Sequence, residues 1–116
     1  MTQQIRAVLT FDSFTTSPAF GVRSGLSVAR QVLYSAGDID LDIRLAPDDG
    51  RWSISGQILG DITAGEIELV GETGSVSTRL DNLFEFAFDP VAPGDYAMCV
   101  RVDETEISIP EFSLRT

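Results

Sequence analysis

The chain contains no lysine and no histidine, and it has a single cysteine, Cys99. Each absence closes a chemical route. Without His or Lys, a Ser or Cys nucleophile lacks its usual base, so no catalytic residue is assigned and no enzyme is expected. Structural zinc and most transition-metal sites draw on several His and Cys side chains, so no metal or other cofactor is expected either. One cysteine cannot form an internal disulfide. All eight cations are Arg, set against 18 Asp and Glu, for a formal net charge of -10. Nucleic acid is excluded as a partner, because its binding needs a basic surface to displace counterions. An anionic membrane surface is excluded by the same repulsion. No apolar run is long enough for a membrane-spanning helix. The start, "MTQQIRAVLTFDSF", lacks the basic head and long apolar run of a secretion signal, so the expected location is cytoplasmic.

What is present is apolar alternation. The 116 residues suit one domain, and 43% of them are hydrophobic, including seven Phe. "IRAVLTF" places Ile5, Ala7, Leu9 and Phe11 on one face of an extended strand. "VARQVLYSA" reads as a strand, or as a helix of little more than two turns, which is marginal in length. In "DIDLDIRLA" the side chains of Ile39, Leu41, Ile43 and Leu45 alternate with Asp38, Asp40, Asp42 and Arg44. "PDDG" supplies hairpin chemistry, and "RWSISGQIL" returns with Trp52, Ile54 and Ile58 inward. Gly56 interrupts that face, which signals a bulge or a close backbone approach. Further strands carry Ile67 and Leu69; Val76, Thr78 and Leu80; Phe84, Phe86 and Phe88; and Tyr96, Met98, Val100 and Val102. In "EISIPEFSLR" the apolar phase slips by one at Pro110, and a bulge there keeps Ile107, Ile109, Phe112 and Leu114 on the core side.

Short strands separated by turn signals predict an all-β fold, an antiparallel β-sandwich of about 7–9 strands. It is expected as a single domain over 1–116, with a strand-plus-loop extension at 1–37 and the sandwich core at 38–116. The row Asp38, Asp40 and Asp42 has Ile39 and Leu41 between the acids and no Gly, so it reads as a solvated strand face and not as a calcium loop. Asp48 and Asp49 read as turn formers, and nothing in the spacing of Asp61, Asp81 and Asp103 requires a shared Ca²⁺ site. Trp52 is expected in the core, and Cys99 as a small buried hydrophobe on the second face of its strand.

From Trp52 onward the residues resemble a known family. Gly56, the strand around Ile67 and Leu69, Thr78, Asp81, Phe86, Phe88, Val91, Pro93, Gly94 and Tyr96 are similar to the pattern of carboxypeptidase regulatory-like domains. These are close to transthyretin-like and Cna-B-type sandwiches. The resemblance covers about residues 52–116 and implies a sandwich in which the Tyr96 hydroxyl ties down a loop. It implies little about function, since such domains are attached to many unrelated proteins. Transthyretin-like hydrolases use His and Cna-B isopeptide bonds use Lys, and this chain has neither. One position departs from the pattern: Phe84 stands where the family has Gly. The expectation is that Asn82 takes the left-handed conformation, the turn shifts its register, and Phe84 joins the strand as an added core residue; the other outcome is an exposed apolar tip.

The function expected from these observations is that of a non-catalytic protein–protein interaction module. By analogy it is an accessory component of a bacterial signalling or stress-response system, binding a protein or a second copy of itself through a sheet edge. The candidate contact residues are Phe20, Val22, Arg23, Arg30 and Phe84. The alternative is a carbohydrate- or surface-binding module of an extracellular protein, which requires exposed aromatic rings.

Overall fold

The computed structural model describes residues 3–13 and 30–114. Within them the chain forms ten strands: β1 Gln3–Arg6, β2 Val8–Asp12, β3 Arg30–Ala36, β4 Ile39–Asp48, β5 Arg51–Leu59, β6 Gly65–Gly71, β7 Gly74–Arg79, β8 Glu85–Val91, β9 Gly94–Val102 and β10 Thr105–Leu114. They make two five-stranded sheets, ordered β1-β10-β9-β6-β7 and β2-β3-β4-β5-β8. The architecture is all-β and sandwich-like, with more strands than the 7–9 expected. One pair departs from the antiparallel rule, since β1 runs parallel to β10. Among the described residues no helix is long and apolar enough to cross a membrane.

The alternation of the sequence explains the layers. Ile39, Leu41, Ile43 and Leu45 in β4 face Trp52, Ile54 and Ile58 of β5 across a regular register, and Leu41, Ile43, Leu45, Ile54 and Ile58 are all but inaccessible. From the other sheet come Ile67, Leu69, Met98, Val100, Ile107 and Leu114, equally buried. Each such aliphatic side chain withdrawn from water contributes roughly 1.5–3 kcal/mol, offset by the entropy of ordering the chain. The ambiguous stretch around Val32 is a strand, with Val32 and Ala36 buried.

Three local features position the edges. First, β4 and β5 are joined by Asp49 and Gly50 alone, both with positive φ (51° and 81°). This is the arrangement of a two-residue type I′ turn, which Asp-Gly favours, so the hairpin closes tighter than "PDDG" suggests. Second, Gly56 is a close approach. A Cβ there would lie 2.3 Å from the Asp42 carbonyl oxygen and 2.8 Å from the Phe86 ring, so the ring of Phe86 occupies the place of a side chain. Third, the register of β9 and β10 shifts between Ile109 and Phe112, where the phase slips at Pro110.

The N-terminal strand divides its allegiance. β1 pairs with β10 of one sheet, and after Ala7 the chain continues as β2, paired with β3 of the other. One side of the sandwich is thereby spanned by continuous chain. On the opposite side β7 and β8 are the outermost strands of their sheets.

Candidate interaction edge

The connection from β7 to β8 crosses between the sheets and is not a hairpin. Asp81 organises it. Its carboxylate Oδ1 accepts the backbone N–H of Leu83 (2.8 Å) and of Glu85 (3.0 Å), and its carbonyl accepts the N–H of Phe84 (3.0 Å). The left-handed residue in this turn is Phe84 itself, with φ 60°. The expected shift of that role to Asn82 does not occur. Phe84 precedes β8 and does not join it, yet its half-buried ring packs against the core. The Phe84 carbonyl accepts the N–H of Ile58 (2.9 Å), which fixes the turn to β5. Packing and two backbone hydrogen bonds thus hold a bulky residue where Gly costs least.

Beyond this turn the two outer strands differ sharply. β8 carries Asp89 and Pro90, and its pairing with β5 is irregular between Trp52 and Ile54. Pro offers no N–H, and charge and irregularity blunt an edge further. On the far side, β1 has only four residues, and β2 shifts register between Leu9 and Phe11. β7 has none of these guards. Its six residues, "GSVSTR", pair with β6 in unbroken register and include no Pro and no acid. Its outer edge is a row of N–H and C=O groups with no strand beyond it. Val76 lies opposite Leu69, which is fully buried, so Val76 is in the inward phase; it is nevertheless 45% exposed. Between β7 and β8 runs a groove of about 450 Å³ lined by Val76, Ser77, Thr78 and Ala87 to Val91.

The residues singled out from sequence fall elsewhere. Phe20, Val22 and Arg23 lie outside the described residues. Arg30 is engaged within the chain: Nε and Nη2 donate to Oδ1 (3.0 Å) and Oδ2 (2.5 Å) of Asp12, whose side chain is buried. Phe84 packs inward, as described. The sequence of β7 shows only an alternating strand, because an edge is a property of sheet order and not of one segment.

The other chemistry-bearing groups are structural in their surroundings. Arg101 is paired with Glu66, Glu68 and Glu106 across three neighbouring strands. Cys99 is not the buried hydrophobe expected: it lies half-buried on the same charged face, where burial pushes its thiol up with Arg101 opposing, so it stays protonated and weakly nucleophilic at neutral pH. Asp42 accepts from Gln31 (3.0 Å) and lies 3.8 Å from Arg44. Asp103 accepts the Thr63 hydroxyl (2.6 Å) and the N–H groups of Thr63 and Ala64, and these bonds, the hydroxyl first, hold its carboxyl below the usual range. The Tyr96 hydroxyl donates to the Ala92 carbonyl (2.7 Å) and ties down the loop before β9. Trp52 is buried in the core. Among the described residues no group of three or more His, Cys, Asp or Glu is placed to hold a metal ion. No family model, characterised protein or solved structure matches the chain.

Proposed function

We propose that this protein is a non-catalytic interaction module that recruits a protein partner by strand addition at β7. The observation that carries the reading is the contrast between the edges: β8 is guarded by Asp89 and Pro90, whereas β7 is regular, free of acids and proline, and exposes an inward-phase Val76. Main-chain pairing supplies affinity in such a mode, and the adjoining groove supplies side-chain selection. The resemblance of residues 52–116 to carboxypeptidase regulatory-like domains fits a binding module, and service in a bacterial signalling or stress-response assembly in the cytoplasm belongs to the same proposal. Sugar binding is less well supported. Among the described residues, the large exposed hydrophobic side chains are Val8, Leu9, Leu59, Val70, Val76 and Leu83, none of which offers a ring for stacking.

The test compares co-purification by the wild-type chain, Val76→Lys on β7 and Val8→Lys on β2. A stoichiometric protein partner lost only with Val76→Lys supports the reading. Loss with Val8→Lys alone moves the site to the other edge, and glycan binding without any protein partner overturns the reading.

A further inference from the structure

We propose that the strand added at β7 is the β7 of a second copy of this chain, antiparallel and centred on Val76. The proposal rests on the reading of β7 as the binding edge and names its occupant. Pairing β7 with itself about Val76 sets Ser75 opposite Ser77 and Gly74 opposite Thr78. Arg79, the one charge on the strand, then faces Thr73 of the other copy and meets no charged side chain directly opposite. No like charges meet in this register, on either side of the two-fold axis. The two Val76 side chains, each left exposed at the margin of its own core, cover one another. A two-fold interface of this kind is self-complementary and closes at two copies.

Charge selects this edge over the others for a copy of the same chain. Two bodies of net charge -10 repel, so they approach best along a strip without acids. β7 contains none of the 18 acidic residues, whereas β8 contributes Glu85 and Asp89, and β2 contributes Asp12. β1 is also free of acids but is only four residues long. The product joins two five-stranded sheets into one continuous ten-stranded sheet, with the added strand lying beside the groove between β7 and β8.

Sedimentation of the full chain over a concentration series, with register-specific cross-linking, tests the proposal. Wild type is expected to dimerise and Val76→Lys to sediment as a monomer, with the melting profile that the wild type shows at concentrations too low for it to dimerise. In a Cys99→Ser background, Val76→Cys is expected to form a disulfide between copies under mild oxidation, because residues directly opposite in this register come within disulfide reach. Val70→Cys, exposed on β6, is expected not to. A dimer that persists in Val76→Lys, or that fails to cross-link through Val76→Cys, overturns the proposed interface. A wild-type monomer at all concentrations overturns the second copy as occupant. If that monomer still loses a protein partner on Val76→Lys, the strand-addition reading stands; if it has no such partner, both fall.

Discussion

At the scale of single residues, backbone conformation and side-chain packing pull against each other at Phe84. A non-Gly residue in the left-handed region costs about 1–2 kcal/mol, and the ring's contact with the core offsets it. Two substitutions separate the terms. Phe84→Ala loses the packing and keeps the strain, whereas Phe84→Gly loses the packing and relieves the strain. Urea denaturation is expected to place the Gly variant above the Ala variant by about 1 kcal/mol, the reverse of their usual order in a strand. Equal stabilities would mean that the turn relaxes once the ring is gone. Asp103 offers a second test. Its folded-state pKa is depressed below the ordinary 3.8 by the Thr63 hydroxyl and the two N–H groups. A depressed carboxyl stabilises the folded state above its unfolded pKa and loses that contribution as pH falls through the folded value. The link between the β9–β10 turn and residues 63–64 is therefore intact at neutral pH and loosens only in acid below 3.8. Asp103→Asn keeps the left-handed turn, since Asn tolerates φ near 52°, and removes the titration. The amides of Thr63 and Ala64 are expected to show acid-dependent exchange in the wild type beyond the intrinsic pH effect and none in the variant.

Between elements, the Asp12 and Arg30 pair joins β2 to β3 with a two-pronged bond around a buried carboxylate. Arg30→Met withdraws the cation and is expected to cost about 3 kcal/mol, the low end for a broken buried pair because Arg30 keeps some exposure. Adding Asp12→Leu to that variant is expected to recover most of the loss in urea denaturation. A double variant no more stable than Arg30→Met would show that the pair's value lies in geometry and not in the balance of charge around the buried carboxylate. The pair also marks where sequence reading stops. Strands with strict alternation, such as Ile39 to Leu45, were legible because burial on one face imposes a period of two. So was the slip at Pro110, which breaks that period visibly, and so were the core placement of Trp52 and the loop tie of Tyr96. The change of sheet at Ala7 was not legible, because Ile5, Ala7, Leu9 and Phe11 keep one phase through it. The parallel pairing of Gln3 with Thr105 is set by contacts about 100 residues apart along the chain, which no local pattern records. The open edge at β7 is not legible for the same reason: "GSVSTR" reads identically as an inner or an outer strand. Arg30 looked like a surface anchor because its partner, Asp12, lies across a long connection.

For the whole molecule, the charge of -10 sets how stability and association respond to salt. The folded chain measures 48 × 31 × 25 Å. The screening length falls from about 30 Å in about 0.01 M salt to about 8 Å in about 0.15 M salt. At the lower concentration it exceeds the molecule's shortest dimension, so acids on opposite faces repel one another; at the higher one only near neighbours interact. The fold is therefore expected to melt at a higher temperature as sodium chloride is added over this range. Local ion pairs such as Arg101 with Glu68 oppose the trend, but exposed pairs contribute little each. The same argument separates the two kinds of occupant at β7. A basic partner is drawn to an acidic body, so its association slows and its affinity falls with salt. A second copy carries the same negative charge, so its association is opposed at low ionic strength and relieved as salt rises. Sedimentation at fixed chain concentration across the same range is expected to show the dimer fraction increasing with salt. A dimer fraction that falls with salt would place ion pairs at the interface, which the acid-free strand of β7 does not supply.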